Sequence, residues 1–519
     1  MTHSSTMKGL WPVLAKTYSA ALVGVDATLV EVEAHIGAGL PGVYIVGLAD
    51  ASISESRDRM KTAMLNSQLP WPKTKVVVNL SPAGLRKSGS HFDLSIICAI
   101  LIGSLREDMV RAHLQDTMFL GEVGLDGSIK PVRGVLPALR AAKAFGVTQC
   151  IIPNQNAAEA ALLDGLDVMT AGHVLDIVSW ARGENPLPNA GHQLPNATTP
   201  MLDMADVAGQ DEARYAAEIA AAGGHHMMMV GPPGSGKSMI AARIPGLLPP
   251  LQAEECVAVT SIHSVVGTSF TSPVVSAPFV APHHSVSRAG LLGGGSGHPL
   301  PGAVSLAHHG VLFLDEVSEI PAAVLDSLRL PLENGLVRMV RRQQEITFPA
   351  QFQLVMAANT CRCGADTPSK CTCSAALRQR FLGNVSGPLR DRVDLFVRTH
   401  AHGAVLGVGS SESSPQIAER VAVARERAAQ RWARAGLEGT NNARMNPHRL
   451  RREFPADEAA MAYLAALLAD GALSQRGVDR SLKVAWTIAD LQGSQIPTLD
   501  HVAQAIDLHA TSEQLGVAV

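Results

Sequence analysis

The sequence lacks the features of a membrane or secreted protein. Its longest apolar run, near Leu94–Ile102, is about half of the roughly 20 residues that a bilayer-spanning helix needs. The N-terminus has no charged segment followed by an apolar one, so we expect a cytoplasmic protein without a membrane partner. The formal net charge of −3 gives no overall sign of nucleic-acid binding. It does not exclude such binding, because basic residues can be confined to one channel.

Cysteine is also scarce. Three of the seven cysteines, Cys98, Cys150 and Cys256, lie in apolar stretches, where we expect small buried side chains. The other four are crowded into residues 361–373. This distribution is not that of a disulfide framework.

The chain of 519 residues is long enough for several domains, and its 46% hydrophobic content is typical of globular proteins. Residues 1–182 alternate strand-like and helical patterns, which predicts an α/β domain. The proline-rich, lysine- and arginine-free segment 183–200 predicts a linker. A second α/β block follows over 201–405, and helical periodicity dominates 406–519, with a hinge predicted at Gly407–Ser414.

Particular elements are predicted within these blocks. The strands expected in the first block are Ala27–Ala34, Val43–Val46 and Val76–Asn79. The helices expected there are Ser52–Asn66, Leu94–Ile102 and Pro137–Phe145. The helices expected at the C-terminus are Gln416–Ala435, Ala456–Ala469, Ser474–Gln492 and Leu499–Ala510.

A phosphate-binding loop follows the apolar run His226–Val230 and precedes a helical pattern. Its residues are Gly231, Pro232, Pro233, Gly234, Ser235, Gly236, Lys237 and Ser238. Glycines allow backbone N–H groups to approach phosphate oxygens, and the N-terminus of the following helix adds positive potential. Lys237 would reach the β- and γ-phosphates of ATP, and the Ser238 hydroxyl would bind Mg²⁺. The alternative, a chance Gly-Pro turn, does not explain the strand–loop–helix context.

The run Val311–Leu314 predicts a buried strand that ends in Asp315 and Glu316. In a parallel sheet such a strand end lies beside the phosphate-binding loop. We expect Asp315 to bind Mg²⁺ and Glu316 to polarise the attacking water. A solvated strand end is the alternative.

A third strand, Gln353–Ala358, ends at Asn359. A polar side chain at that strand tip is placed to orient the attacking water. The alternative is that Asn359 only forms a turn.

Cys361, Cys363, Cys371 and Cys373 form a CxC-x7-CxC pattern directly after this strand tip. Four thiolates can complete a tetrahedral zinc site, and Gly364 and Pro368 allow the chain to double back between the pairs. We therefore expect a structural Zn²⁺. Reduced thiols in a surface loop are the alternative.

Long and specific motifs carry a resemblance over almost the whole chain. They are Gly39–Gly47, Val78–Pro82, Phe119–Gly124, Ala281–Ser285, Ser305–Glu316 and Gly387–Asp394. The sequence resembles the magnesium-chelatase-like AAA+ ATPases of the YifB/ComM family. The resemblance implies a Lon-type, ribosomal-S5-like N-terminal domain, a P-loop AAA+ core with a parallel sheet, and a helical C-terminal lid. It also implies a hexameric ring.

The resemblance further implies roles for two arginines. Arg392 matches the finger that reaches the γ-phosphate of a neighbouring subunit, and Arg476 matches the sensor arginine of the lid. Arg480 competes for the sensor role, and Trp486 stands where many relatives carry arginine. Ordinary surface ion pairs are the alternative for both arginines.

In a ring motor, loops that face the pore grip the substrate. The segment Gly335–Phe348 predicts a hairpin with Arg338, Arg341 and Arg342, which could pair with DNA phosphates. Salt bridges between subunits are the alternative. The glycine-rich segment Gly290–Pro301 is a second candidate; His283 and His284 lack a third ligand, so no metal site is predicted there.

The resemblance implies an ATP-driven motor on single-stranded or branched DNA, of the branch-migration helicase kind used in recombination and natural transformation. A chelatase-type motor that remodels a protein or drives metal insertion is the alternative. A Lon-like protease is less favoured, because Leu136 stands where the lysine of the catalytic dyad should be, and a serine without it lacks an activating base.

Overall fold

A computed structural model gives the architecture. The residues that it describes are 14–105, 107–191, 202–268, 272–295, 299–341, 344–365, 371–374, 383–400, 412–437 and 441–514.

The described residues form eighteen strands and a larger set of helices. The strands are β1 Leu14–Val23, β2 Asp26–Gly37, β3 Gly42–Val46, β4 Lys75–Ser81, β5 Met118–Phe119, β6 Glu122–Val123, β7 Ile129–Lys130, β8 Gln149–Pro153, β9 Asp167–Ala171, β10 Met227–Val230, β11 Phe279–Val280, β12 Gly293–Gly294, β13 Leu300–Pro301, β14 Val311–Leu314, β15 Leu336–Arg341, β16 Gln344–Pro349, β17 Gln353–Ala358 and β18 Leu395–Arg398. The helices before β15 are α1 Ala51–Asn66, α2 Asp93–Leu105, α3 Asp108–Leu114, α4 Val135–Phe145, α5 Ala157–Ala160, α6 Val174–Ala181, α7 Asp211–Gly223, α8 Lys237–Arg243, α9 Ala253–Val266, α10 Arg288–Leu292, α11 Ala303–Leu306, α12 Ala322–Asp326 and α13 Arg329–Asn334. Later helices are Gly387–Arg390, Ser414–Arg434, Pro447–Glu453, Glu458–Ala469, Gln475–Gln492 and Leu499–Gln514.

The chain divides into two compact units. Of the described residues, the first unit takes those up to 197 together with 253–274, and the second takes the rest. The first unit is built on a seven-stranded mixed sheet in the order β3-β4-β2-β1-β5-β8-β9. The strands β1, β2 and β4 pair antiparallel, whereas β5, β8 and β9 pair parallel. Helix α2 lies almost wholly in the apolar core, because eleven of its thirteen residues are buried.

Helix α9 belongs to the first unit although the predicted ATPase core, 201–405, contains its sequence. Its Ser264 hydroxyl donates a hydrogen bond to the carboxylate of Glu159, and its Ser264 carbonyl accepts one from Gly134 N (3.1 Å). Glu159 is buried and also accepts from Asn156 Nδ2 (2.9 Å) and Leu136 N (3.2 Å). Burial raises the pKa of Glu159 because desolvation disfavours its charged form. A helix from the middle of the chain therefore completes this unit.

The start of the predicted linker 183–200 also packs in the first unit. Thr170 N donates to Pro188 O and Ala190 N donates to Val168 O, both at 2.8 Å, so this stretch runs along β9. Pairing with the edge strand β9 holds these residues in place, although their composition alone predicts a flexible linker. Residues 192–200 lie outside the described part.

The second unit is built on a parallel sheet in the order β11-β14-β17-β10-β18. Its central strands are buried along their whole length, which fits their continuous apolar sequences. Strands β15 and β16 form an antiparallel hairpin, and β12 pairs with β13. The mixed α/β class, the parallel sheet and the helical C-terminal region are confirmed.

The C-terminal helices share the apolar core of the second unit. Arg431 joins two of them, because its guanidinium pairs with Asp490 (2.6 and 2.7 Å) and lies 4.0 Å from the ring centre of Trp486. Trp486 donates to Phe454 O, so it is a packing residue here. Most of the predicted hinge 407–414 lies outside the described residues. No described helix has both the length and the apolarity to cross a bilayer.

Candidate nucleotide-binding site

The phosphate-binding loop joins the end of β10 to the start of α8, as its sequence predicts. Gly234 and Gly236 have φ angles of +75° and +83°, which side chains with a Cβ rarely adopt. A Cβ on Gly231 would lie 2.1 Å from Thr399 Oγ1. The glycines are therefore required both by backbone conformation and by close packing.

Lys237 is nearly buried inside this loop. Its ammonium group donates to Gly231 O (2.9 Å), Pro232 O (2.8 Å) and Ser235 Oγ (3.3 Å), and it also reaches Asn359 Oδ1 (3.2 Å). Burial lowers the pKa of Lys237, and the nearby carboxylates of Asp315 and Glu316 act in the opposite direction. The ammonium group thus lies where the loop, β14 and β17 converge.

Strand β14 brings its carboxylates to the same edge of the sheet. In the parallel register, Leu314 pairs with Met356 and Val230 pairs with Ala358, so the strands β14, β17 and β10 end together. The Ser238 hydroxyl donates to Asp315 Oδ2 at 2.8 Å. A hydroxyl and a carboxylate oxygen at this separation are the hard ligands that Mg²⁺ takes, so the donor set fits that ion.

Glu316 follows with a left-handed backbone, φ +47°, and half of its side chain is exposed. Its carboxylate oxygen lies 3.2 Å from His284 Nδ1. The sequence alone does not predict this contact between His284 and Glu316. The position of His284 directly after an apolar strand, β11, is the signal that could have indicated it, because neighbouring parallel strands end at one edge.

The two candidate arginines form a second cluster. Arg392 donates to Pro388 O and pairs with Glu333, and Arg476 pairs with Asp391 at 3.0 Å. In the part of the chain that the structure describes, the hydrogen bonds and ion pairs of Arg392 and Arg476 go to residues other than Lys237, Asp315 and Asn359. The structure therefore brings the loop, both acids and Asn359 together and places the arginines in another group.

Arg476 and Arg480 differ in exposure. The Arg476 side chain is 74% exposed, whereas Arg480 is buried and donates to Asp391 O (3.0 Å) and to the ring of His509. An exposed guanidinium can reach another molecule, but a buried one with filled donors cannot. The geometry therefore favours Arg476 over Arg480 for contact with a partner.

The four clustered cysteines point their sulfur atoms at one place. All four Sγ atoms lie within 4.8 Å of one another, and Cys371 Sγ lies 3.5 Å from Cys361 Sγ and 3.6 Å from Cys363 Sγ. Ligands at about 2.3 Å in a tetrahedron stand about 3.8 Å apart, so the donor set fits zinc. Hydrogen bonding, mainly from Cys361, lowers the pKa of Cys363 to about 5. Cys98, Cys150 and Cys256 are buried singly, as predicted.

The hairpin predicted over 335–348 is present as β15 and β16. Arg338 is 67% exposed and lies 3.8 Å from Glu345 on the opposite strand. Arg342 and the side chain of Arg341 lie outside the described part. The second candidate segment, 290–301, contains the β12–β13 pair, and residues 296–298 are not among those described.

In the first unit, the hydrogen bonds of Lys87, Ser90 and Ser95 go to groups other than one another. Leu136, at the expected dyad-lysine position, is fully buried in the apolar core. Lys87 is fully buried, and its ammonium group donates to the carbonyl oxygens of Gly47, Leu80 and Pro82. Ser95 Oγ donates to Phe92 O, and Ser90 Oγ donates to the Glu122 carboxylate. These groups do not form an activated nucleophile.

Three family models match the chain. "Magnesium chelatase, subunit ChlI" matches residues 203–405, "Subunit ChlI of Mg-chelatase" matches residues 32–156, and "Magnesium chelatase, subunit ChlI C-terminal" matches residues 411–509. The matched ranges together contain all the candidate site residues.

Several curated proteins are similar over nearly their full length. An uncharacterized protein of Mycobacterium tuberculosis is 48% identical over 503 residues, which cover 96% of this chain and 99% of that protein. The competence protein ComM of Haemophilus influenzae is 38% identical (96% and 97%), and the uncharacterized protein YifB of Escherichia coli is 36% identical (97% and 98%). A Lon protease of Mycolicibacterium smegmatis is 27% identical over 172 residues, 31% of this chain and 22% of that protein.

Proposed function

This chain belongs to the YifB/ComM-type family of magnesium-chelatase-like AAA+ ATPases, and from that premise we propose that it is a motor that uses ATP hydrolysis to move along DNA. The observation that carries the ATPase part is the convergence of Lys237, Ser238, Asp315 and Asn359 at one sheet edge. The DNA part is supported by the exposed arginine hairpin and by the similarity to a competence protein.

In this proposal each side chain has a separate task during hydrolysis. Lys237 and the loop N–H groups bind the phosphates, while Ser238 and Asp315 hold Mg²⁺, which supplies charge neutralisation when bound. Glu316 accepts a proton from the attacking water, and Asn359 orients that water. The near burial of Lys237 strengthens its attraction to phosphate, because the local dielectric is low.

The working unit in the proposal is a closed ring, with six subunits expected from the family resemblance. The separate cluster of Arg392 and Arg476 supports it, since the contacts of both arginines lie away from the nucleotide cluster. An arginine that stabilises the transferring phosphoryl group is then supplied by the neighbouring subunit. Arg476 pairs with Asp391, which is next to Arg392 in sequence. The Arg392 guanidinium, 19% exposed, would have to leave Glu333 and Pro388 O to reach a neighbouring subunit.

DNA contact is assigned to the β15–β16 hairpin. The exposed Arg338 supplies a positive charge for phosphate, and such contacts give affinity that does not depend on sequence. The weak pairing with Glu345 at 3.8 Å between exposed side chains costs little to break.

The test is ATPase activity with single-stranded, duplex and four-way-junction DNA. We expect DNA to raise the turnover number, and Arg338→Ala to reduce that stimulation and weaken its dependence on salt. Arg140→Ala, on an exposed arginine of the first unit, is the matched control and should behave like the wild type. Turnover that no DNA changes would contradict the proposal.

The second candidate is a chelatase-type motor that remodels a protein or drives metal insertion. The chelatase descriptions of the matching family models favour it. It predicts the same nucleotide chemistry without DNA stimulation, so the same assay separates the two functions.

A structural Zn²⁺ in the cysteine cluster completes the proposal. The sulfur separations support four thiolate ligands, Cys361, Cys363, Cys371 and Cys373. The metal would fix the segment that follows Asn359, and no step of hydrolysis involves it.

A further inference from the structure

A cavity of the second unit lies at the edge of the parallel sheet opposite the phosphate-binding loop. His226 precedes β10, Gln351 precedes β17 and Asp394 precedes β18, and all three residues line this cavity. These strands are neighbours, so the cavity lies at their amino ends, whereas the loop lies at their carboxyl ends. The two edges are about 13 Å apart along the four residues of β10. The cavity is therefore separate from the site that holds Lys237 and Asp315.

The cavity has the size and the donors of a ligand site. Its volume is about 500 Å³, which lies within the range of small-molecule pockets. Three cations and three amide side chains are among the residues that line it: Arg392, Arg444, Lys483, Asn334, Gln351 and Asn446. His226 adds a further donor, because its Nδ1 accepts from Leu354 N (3.0 Å) and its Nε2 then carries the hydrogen. The lining is thus rich in groups that donate to an anion.

The three acids that line the cavity already have partners. The pairs are Glu333 with Arg392, Asp391 with Arg476 (3.0 Å) and Asp394 with His225 (3.0 Å). A carboxylate held in this way does not need a second cation. The charge that remains in the cavity is therefore positive.

Arg444 carries this remaining charge. In the part of the chain that the structure describes, its guanidinium has neither a hydrogen bond nor an ion pair, although its side chain is exposed to water. Burial lowers the pKa of Arg444, and no carboxylate of the described residues acts to raise it. Burial also lowers the pKa of His226 to about 4, and the charge of Arg444 adds to that effect. An enclosed guanidinium that water reaches and no acid compensates is a binding group for an anion.

The short turn that carries Arg444 is held in place before any ligand binds. The buried Asn442 side chain donates to Asp490 Oδ2 at 2.9 Å. Ala443 O accepts from Lys483 Nζ at 2.7 Å. An ammonium group has three donors, so Lys483 keeps others for a ligand. Because the backbone is fixed, an anion needs to order the Arg444 side chain alone, which lowers the entropic cost of binding.

We propose that this cavity is a second phosphate-binding site, in which Arg444 is the principal ligand and Lys483 assists. The fork of a guanidinium matches two oxygens of a phosphate group, and the cavity has room for more than one such group. The phosphate comes either from a free anion or from a nucleotide held by the loop of a neighbouring chain. The second source rests on the ring of the proposed function, and the first does not.

The experiment measures pyrophosphate binding by calorimetry to the Lys237→Ala chain, in which the loop has lost its phosphate-binding charge. Adding Arg444→Ala should weaken binding by about tenfold or more, since a charge-assisted contact is lost. Arg444→Lys keeps the charge and loses the fork, so it should weaken binding by a smaller factor. Arg434→Ala, at an exposed arginine in the helix Ser414–Arg434, is the matched control and should not change binding. Malonate, a dicarboxylate, should bind about tenfold more weakly than pyrophosphate.

A thermal melt separates loss of the ligand from loss of the fold. Without ligand, Arg444→Ala should melt at the temperature of its parent or slightly above it, because an uncompensated charge is removed. Pyrophosphate should raise the melting temperature of the parent and of Arg434→Ala more than that of Arg444→Ala. If Arg444→Ala melts well below its parent, Arg444→Lys carries the comparison.

A second measurement identifies the source of the phosphate. The Glu316→Gln chain has an intact loop, and its self-association in ATP is followed by sedimentation with and without Arg444→Ala. A neighbour's nucleotide as the source predicts about tenfold weaker association in Arg444→Ala, with no pyrophosphate binding by the Lys237→Ala chain. A free anion as the source predicts pyrophosphate binding and unchanged association.

Each outcome supports or overturns the site. Weakening by Arg444→Ala in either measurement supports it and assigns the source. No effect of Arg444→Ala in both measurements would overturn it, and equal binding of malonate and pyrophosphate would overturn the assignment to phosphate. If no variant associates in ATP, the proposed ring fails, and pyrophosphate binding alone decides the site.

Discussion

Two buried lysines, one in each unit, have similar surroundings and different consequences. Lys87 donates to three main-chain carbonyl oxygens in the first unit, and Lys237 donates to two in the second. Burial lowers the pKa of both ammonium groups. Of the two, Lys237 also has two carboxylates and an amide oxygen nearby.

A buried lysine that donates to main-chain carbonyl oxygens becomes a ligand-binding group when other functional side chains lie beside it. The Lys87 ammonium group joins three carbonyl oxygens, which lie after β3, near the end of β4 and in the loop between β4 and α2. The lysine is therefore a structural link between these elements. Lys237 holds similar partners but lies at an edge where Mg²⁺ ligands and a candidate base converge. The two lysines should therefore respond to mutation in opposite ways.

The largest expected effect concerns the second unit. Lys237→Ala should abolish ATP binding, since the phosphate charge loses its partner, while the fold is retained. Glu316→Gln should keep binding but reduce turnover by about 100-fold or more, because only activation of water is lost. Equilibrium binding of a fluorescent analogue and steady-state ATPase rates check both, and normal turnover by Glu316→Gln would remove Glu316 from the mechanism.

The next prediction tests whether the nucleotide site of one chain can hydrolyse ATP without an arginine from a neighbouring chain. Arg392→Ala should bind ATP nearly normally and hydrolyse it about 1000-fold more slowly, the usual loss for an arginine finger. Mixing it with Lys237→Ala chains should restore part of the activity, because some interfaces then pair an intact loop with an intact arginine. The measurement is turnover against mixing ratio, with the mass in solution determined in nucleotide. An unchanged rate in Arg392→Ala, or a monomer that hydrolyses at full rate, would refute the ring.

Mutation of the buried lysine of the first unit should change the stability of the protein and leave ATP binding unchanged. Lys87→Met should lower the free energy of unfolding by about 3 kcal/mol, since buried carbonyl oxygens lose their donor. ATP affinity of the folded protein should be unchanged. Chemical denaturation followed by circular dichroism measures the loss, and Lys61→Met, at an exposed position of α1, is the matched control. A stability equal to that of the control would show that water replaces the ammonium group.

The smallest effect on turnover should come from the cysteine cluster. Protein purified without chelators should contain about one zinc per chain, with thiolate ligands at about 2.3 Å. Changing Cys361 and Cys371 to serine should remove the metal, whereas Cys256→Ser, outside the cluster, should not. Elemental analysis and X-ray absorption provide the measurement. A fully folded, metal-free wild-type sample would leave the cluster as a thiol-rich loop.

The local patterns in the sequence predicted most of the site. The loop 231–238, the acidic strand end and Asn359 each carry their information in a few adjacent residues, and parallel strand ends meet at one edge. Helices such as Ala51–Asn66 and Gln475–Gln492 were predicted to within two residues. Such features follow from periodicity and turn chemistry, which act over short distances along the chain.

Contacts between distant residues could not be predicted in this way. Arg392 pairs with Glu333, 59 residues away, and Glu316 meets His284 across a strand pair that β11 forms with only two residues. The placement of α9 in the first unit depends on contacts of Ser264 with Gly134 and Glu159, more than 100 residues earlier in the chain. Leu136 N donates to the same Glu159 carboxylate. Tertiary packing decides these contacts, and no short pattern encodes them.

Helix α9 also sets the order in which the protein can mature on the ribosome. Synthesis runs from the N-terminus, and domains generally fold as their residues emerge. The first unit, however, lacks the Ser264 hydroxyl that donates to Glu159 until residue 264 has been made, and the phosphate-binding loop at 231–238 is made before it. Completion of the first unit therefore waits for a segment that lies beyond the start of the second unit in the chain. A chain that ended at the linker would leave the buried Glu159 carboxylate without this donor.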